Sequence, residues 1–319
     1  MIAHDVFTAI CTRSLGAKNR SIPITPFRYF DDTPSNPSLI IEFREGGKPT
    51  VTSEDPNLDE NEYYPDNTSY SRPEGGKVPW VEVLSLYSAE PDWGMDDGLR
   101  LSPIQGLMGG SQGYRHMLYN LFCFKAGVPH RRAIHFHGLA RIAFNRGDTY
   151  WGVRFSARAI HYIQDILSPF HTKPFPEWYI LRKLLSPVGL YYTTYNYHLN
   201  FERLTGYYLW HGEPGIIRCI EGAPVYPLEG LKNESHLEEE ILKASRKAKK
   251  LLFPIFRECA RLWAGNMGKG YYKIKREEIE KLELPQRLLE LACMWLGSSA
   301  SFIKGYIRAY VLPFVDTGG

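Results

Sequence analysis

Two apolar-periodic runs set end to end constrain this 319-residue chain most: RRAIHFHGLARIAFNRG at 131–147 and DTYWGVRFSARAIHYIQDILS at 148–168. Apolar residues recur in both at the spacing of one helix face. Gly147 can end the first helix and Asp148 can cap the second, with Arg146 between the runs and the turn. A third run covers about 190–211, followed by a turn-rich segment near 212–232. NESHLEEEILKASRKAKKLLFPIFRECARLWAG, from Asn233, then opens on cap residues and continues for several turns, with a bend expected at Pro254. Residues 4–15 read as a short helix, and 276–312 alternate apolar stripes with charge and should close the bundle. The expectation is a mainly α, multi-helix fold over 1–319 as one domain, interrupted at 17–91 by a loop-rich region full of Pro, Gly, Asn and Asp. Within that region SLIIEFREGGKPTVTSE (38–54) predicts a β-hairpin around Glu-Gly-Gly-Lys. The acidic tract EDPNLDENEYYPDNTSYSRPEGGK (54–77) reads as loop or lid.

With 44% hydrophobic and 23% charged residues, the chain can bury a large core. A net charge of +3 is too small to mark a polyanion-binding protein. No run of about 18 apolar residues suggests a membrane span. The start, MIAHDVFTAICTRSLG, lacks the basic-then-apolar order of a signal peptide, so the expected compartment is cytoplasmic, with secretion after processing as the alternative. Five widely spaced cysteines (Cys11, Cys123, Cys219, Cys259, Cys293) contain no C-x-x-C pair. They argue against a thiolate zinc site and a disulfide scaffold, and read as buried thiols.

The chemistry-bearing stretch is HYIQDILSPFH at 161–171. His161 and Asp165 stand four apart, one above the other on a helix face. Pro169 disfavours helical geometry at Ser168, so a helix end is predicted there, with His171 in the turn beyond. In YNYHLNFERL, His198 and Glu202 repeat the four-residue spacing on a second helix. Imidazole and carboxylate without thiolate suit zinc in a catalytic setting, where a coordination position stays open for water.

In these residues the chain resembles the zinc-dependent phospholipase C family, whose relatives include the clostridial alpha-toxins and the fungal single-strand nucleases. The family pattern is His-x-x-x-Asp, then His six after the Asp, then His-x-x-x-Glu or His-x-x-x-Asp. GDTYWGVRFSARAIHYIQDILSPFH and the His198/Glu202 pair contain each element in order. The resemblance implies a nearly all-helical fold holding up to three zinc ions in a cleft. His161 and Asp165 would bind the first, Asp165 would bridge to a second, and His171, His198 and Glu202 would hold a separate third ion. The family also uses an Asp in a Pro-Asp-aromatic context, matched by Asp92 in SAEPDWGMDD, with Asp96 and Asp97 as weaker candidates. Its later His is matched by His116 in GSQGYRHMLYN, its first-helix His by His4 in AHDVFTAI, and its terminal backbone ligand by Met1.

The filled site would stay cationic, because three zinc ions outweigh the carboxylates of Asp92, Asp165 and Glu202. That favours an anionic phosphodiester substrate. The expected reaction is attack on phosphorus by zinc-activated water, with Asp165 bridging the metals and Asp92 orienting or deprotonating the water. Glu202 resembles the phospholipase branch, since the nuclease branch usually has Asp there. Phospholipid is therefore the first substrate expectation and single-stranded nucleic acid the alternative. A third reading is a binding or structural protein with an incomplete metal site. No lipid-binding β-sandwich follows the helical core in these residues, which disfavours a membrane-lytic role. His135 and His137, two apart, read as one packed and one solvent-facing ring; His130 as a turn residue, His211 as a helix end and His236 as part of a cap. YYTTYNYH (191–198) reads chiefly as core, with rings at a cleft mouth as the alternative.

Overall fold

A computed structural model describes residues 3–26, 29, 76–92, 94–121, 124–176, 179–180, 186–230, 233–263 and 267–316. The fold is mainly α. In chain order the helices are α1 (His4–Arg13), α2 (Trp80–Leu86), α3 (Gly110–His116), α4 (Pro129–Asn145), α5 (Thr149–Leu167) and α6 (Pro169–Thr172). Then follow α7 (Pro187–Trp210), α8 (Pro214–Glu221), α9 (Glu234–Trp263), α10 (Arg276–Glu280), α11 (Gln286–Tyr310) and α12 (Leu312–Val315). Two small antiparallel pairs complete the described elements: β1 (Ser21–Pro23) with β2 (Lys77–Pro79), and β3 (Tyr119–Leu121) with β4 (Phe124–Ala126).

The hairpin predicted at 38–54 lies outside the described residues. The β1–β2 pair brings Ser21 opposite Pro79. Chain that departs after β1 therefore returns beside its point of departure. The loop-rich reading of 17–91 fails at its end, where WVEVLSL forms α2. Trp80, Val83 and Leu84 there are completely buried, and this core contact outweighs the surrounding turn residues.

α5 is the central rod, and every residue from Tyr150 to Leu167 is buried. Its start follows the predicted punctuation. Gly147 adopts φ +75°, a left-handed conformation that costs glycine little. Asp148 Oδ1 then accepts from the Trp151 amide at 3.3 Å. The same carboxylate accepts from Thr25 Oγ1 and Tyr29 Oη at 2.7 and 2.8 Å, tying the chain around β1 to the head of α5. Ser168 is extended, ending α5 as expected. His171 falls in α6, a single helical turn, rather than in an open turn.

α7 is fixed by an asparagine ladder. Asn196 donates to the carbonyls of Met267 and Gly270 at 2.9 and 2.7 Å and accepts from the Tyr272 amide at 2.9 Å. One turn on, Asn200 donates to the Tyr272 carbonyl at 2.8 Å and accepts from the Ile274 amide at 2.6 Å. Residues 267–274, which form no helix or strand, thus have the backbone groups of Met267, Gly270, Tyr272 and Ile274 bonded to one helix face. The same helix packs Tyr197 against Phe256 and Phe201 against Trp295. Pro254 sits inside α9 without ending it. Asn233 Oδ1 accepts from the His236 amide at 3.1 Å, the cap expected there.

The remaining histidines divide much as their spacing suggested. His137 is buried and bonds Tyr306 Oη at 3.1 Å, whereas His135 is half-buried with its ring edge-on to Phe136. His130 is corrected: Pro129 occupies the first helical position, so His130 lies in the first turn of α4. Cys11 and Cys259 are buried thiols, whereas Cys219 and Cys293 are only half-buried, and all four are free.

Candidate metal centre

α5 carries the site on one stripe. Arg154, Arg158, His161 and Asp165 recur every three or four residues and face the segment that follows α2. Glu90, almost fully buried, accepts from Arg158 Nε at 2.7 Å and from both Nε and Nη2 of Arg154. Arg154 also lies over the Tyr87 ring, 3.8 Å from its centroid. Burial alone would raise the Glu90 carboxyl, yet the two guanidiniums hold it below the usual range. This buried triad holds the 87–92 segment against α5. It places the Ser88 carbonyl 2.8 Å from His161 Nδ1 and Asp92 within 3.7 Å of His161 Nε2.

Eight of the nine residues expected to hold metal come together; Met1 lies outside the described residues. Three groups form, each with one ligand atom per residue and all such atoms within 4.8 Å: His4, His161 and Asp165; Asp92, His116 and His161; His171, His198 and Glu202. Asp165 Oδ2 lies 2.8 Å from His116 Nδ1 and 3.2 Å from His161 Nε2, while its Oδ1 lies 3.5 Å from His4 Nε2. Asp92 Oδ1 is 3.4 Å from His116 Nδ1, and its Oδ2 is 3.6 Å from His4 Nε2. In the third group Glu202 Oε1 lies 3.0 Å from His171 Nε2 and 3.1 Å from His198 Nε2. His171 Nδ1 is also 3.2 Å from Asp165 Oδ1, so the groups share a wall.

The hydrogen bonds behind these rings determine which nitrogen faces inward. The Gln164 amide donates to Thr8 Oγ1 at 2.7 Å, which turns its oxygen toward His4 Nδ1 at 2.6 Å. His4 therefore donates through Nδ1 and keeps an Nε2 lone pair. His161 donates to Ser88 O, and His171 Nδ1 donates to the His116 carbonyl at 3.0 Å. His116 directs Nε2 at Asp96 Oδ2, 3.2 Å away. Unprotonated nitrogens of His4, His161 and His171 thus face carboxylate oxygens, while His116 Nδ1 lies within hydrogen-bond distance of both Asp165 Oδ2 (2.8 Å) and His161 Nε2 (2.9 Å). His4 Nε2 and His198 Nε2 are buried without a hydrogen-bond partner; His198 approaches Glu202 without the alignment of a hydrogen bond. Acceptors facing acceptors in a buried volume are stabilised by positive charge between them, from a proton or a metal cation. The donor set fits a divalent metal.

The ionisation of the groups agrees. Burial would raise Asp165, but His161, His171 and the His116 hydrogen bond hold it well below the usual carboxylate range. Burial also opposes ionisation of Glu202, and His198 and His171 outweigh it. His4 is lowered to about 4 by burial and by His161, which keeps it neutral and able to donate a lone pair. Burial would lower His116 as well, yet Asp165, Asp96 and Asp92 lift it to about 10. The carboxylates thus draw a proton to that ring.

Asp96 is reassigned by the structure. It lies behind His116 rather than among the converging ligand atoms, fully buried, accepting from Arg115 Nη1 and Tyr162 Oη as well as facing His116 Nε2. A carboxylate there orients the imidazole and raises its basicity. Asp96→Asn should weaken metal binding by roughly 10–100-fold. Competition with a chelator measures this, and unchanged affinity would contradict the role. Gln164, too, was not singled out in the sequence, although a lone polar residue three positions after His161 on an apolar helix was a usable signal.

The cluster opens on one cleft of about 650 Å³. α7 supplies one wall with Leu190, Tyr191, Thr194, Tyr195, His198, Leu199 and Glu202, a stripe of helical spacing. Residues 106–109, Gln112 and Met117 supply the other. Asp92, 42% exposed, is the carboxylate of the cluster that reaches the solvent side, and it accepts from Gln112 Nε2 at 3.3 Å. YYTTYNYH is split by this geometry: Tyr197 is core, whereas Tyr191 and Tyr195 border the cleft.

The fold and the site define a mainly helical protein with a buried histidine–carboxylate cluster at the floor of a cleft. No protein-family model matches the chain, and no curated protein matches it significantly. Among solved structures, the alpha-toxin of Clostridium perfringens isolated from an avian strain is similar over 99% of this chain and 66% of its own, with 13% identity and a TM-score of 0.39. The chain thus spans just under two thirds of that toxin's length.

Proposed function

We propose that the protein is a zinc-dependent phosphodiester hydrolase acting on phospholipid in the manner of a phospholipase C. The observation that carries this reading is the convergence of His4, Asp92, His116, His161, Asp165, His171, His198 and Glu202 on one buried volume beside a cleft. Nitrogen and oxygen donors without thiolate favour zinc, and three groups allow up to three ions. Bound zinc supplies water activated at neutral pH and positive charge for phosphodiester oxygens.

The chain's own residues supply the rest. Asp165 and Glu202 hold fixed negative charge between the imidazoles, and Asp96, Ser88 O and Gln164 keep three rings in the binding tautomer. Asp92, with one face toward the cluster and one toward the cleft, is placed to orient an attacking water and take its proton. Leu107, Met108, Met117, Ile180, Leu190 and Leu199 line the cleft, and no Lys or Arg does so among the described residues. Such a wall suits the glyceride end of a phospholipid. It offers nothing to track the repeated phosphates of a nucleic acid, which need a basic groove.

Purified protein loaded with zinc is expected to release the phosphorylated head group from phospholipid and to leave single-stranded DNA and RNA intact. Cleavage of nucleic acid with inert phospholipid would replace this reading by the nuclease one. Inactivity on both in zinc-loaded protein would favour a non-catalytic metal protein.

A further inference from the structure

The geometry points to a lipid-docking rim around the cleft mouth: the protein engages its substrate at the surface of an anionic bilayer, through apolar side chains on both walls. The inference rests on the proposed phospholipid reading and specifies where that substrate is met. Ten large apolar side chains are exposed among the described residues; two of them, Leu107 and Tyr191, border the cleft, and four more belong to the segments that carry or contact these two. In the segment leading into one wall Leu101, Ile104 and Leu107 are 37%, 45% and 85% exposed, and Leu107 borders the cleft itself. On the other, Val188, Tyr191 and Tyr271 are 67%, 45% and 66% exposed, and Tyr191 borders the cleft too. Tyr271 Oη lies 3.5 Å from Tyr191 Oη, so the segment held by the asparagine ladder continues the second wall.

Hydrogen bonds fix the backbone on both sides. On the first, Gln105 accepts from the amides of Leu101 and Ser102 at 2.8 and 3.0 Å and donates to the Leu99 carbonyl at 2.7 Å, closing the loop on itself. On the second, Asn196 and Asn200 fix residues 267–274. A leucine 85% exposed on a fixed loop gains nothing from water, and a cluster of such residues marks a contact surface.

Charge selects the contact. No Asp or Glu occurs from Gly98 to Gly147, from Ser186 to Phe201 or from Met267 to Lys275, the segments that carry the exposed apolar residues; the acids of the cleft, Asp92 and Glu202, belong to the cluster at its floor. Arg100 and Lys269, both exposed, flank the apolar residues. Apolar side chains bordered by cations, around a cleft whose floor would hold metal, match a membrane interface carrying anionic lipid. Insertion there would set the cleft mouth against the head groups without extracting a whole lipid into water.

The test uses the full chain and sedimentation with vesicles of phosphatidylcholine, with and without phosphatidylglycerol, alongside hydrolysis of a water-soluble monomeric phosphodiester. Leu101→Ser/Ile104→Ser/Val188→Ser is expected to weaken vesicle binding at least tenfold while leaving turnover of the soluble substrate unchanged. Arg100→Glu/Lys269→Glu is expected to remove the preference for phosphatidylglycerol. No vesicle binding by the native protein, or equal binding by the triple variant, overturns the inference. So does dimerisation abolished by the same substitutions without vesicle binding, which would make the rim an interface between copies. Binding and catalysis are read separately: a protein that docks on vesicles but cleaves no phosphodiester would retire the proposed function and leave the docking surface standing.

Discussion

Asp165→Asn is expected to release bound metal and to lower phosphodiester turnover by at least about a thousandfold, the equivalent of roughly 4 kcal/mol of transition-state stabilisation. The residue is buried, and its two oxygens lie within 3.5 Å of nitrogens from His4, His116, His161 and His171. Asparagine keeps the shape but removes a full charge from the middle of four imidazoles. It also turns an amide donor toward one of the lone pairs that should face a cation. The two shared groups, His4–His161–Asp165 and Asp92–His116–His161, should lose metal together, because His161 belongs to both. Metal analysis of the variant beside its turnover decides the matter. Full zinc content with full activity would contradict the bridging role.

The second large effect concerns stability. Glu90→Gln should destabilise the fold by roughly 3–5 kcal/mol, because it removes the buried carboxylate charge that the guanidiniums of Arg154 and Arg158 both face. Denaturant unfolding measures the loss as a lower midpoint at unchanged slope. Replacing the whole triad, as Glu90→Met/Arg154→Leu/Arg158→Met, should recover most of that stability, since no unpaired charge remains to be buried. A single variant as stable as the native protein would show that the triad is solvated. The same substitution bears on the site, because the triad fixes the segment carrying Ser88 and Asp92.

Much of this was legible in the sequence wherever local spacing decides structure. His161 with Asp165, and His198 with Glu202, needed only the helical period, and Asp148 and Ser168 marked the ends of α5 by backbone chemistry that acts over a few residues. The expected convergence of His4 and Asp92 came from a family resemblance, since no local rule connects positions so far apart. Asp96 illustrates the limit. In sequence it is one of two adjacent acids after Asp92, and only the packing of Arg115, Tyr162 and His116 around it fixes it behind a ligand rather than beside the others. The Glu90 triad was missed for the same reason: Arg154 and Arg158 look like the solvated face of a helix until every face of α5 proves buried. α2 was hidden inside a turn-rich stretch because seven residues are too few for periodicity to outweigh their flanks.

The central claim is that scattered imidazoles and carboxylates form a divalent-metal centre. Diffraction from crystals of the full chain grown with zinc, recorded at the zinc absorption edge, tests it most directly. Anomalous peaks are expected within the three groups, between His4, His161 and Asp165, between Asp92, His116 and His161, and between His171, His198 and Glu202. A map without peaks there, with these side chains turned apart from one another, would contradict it.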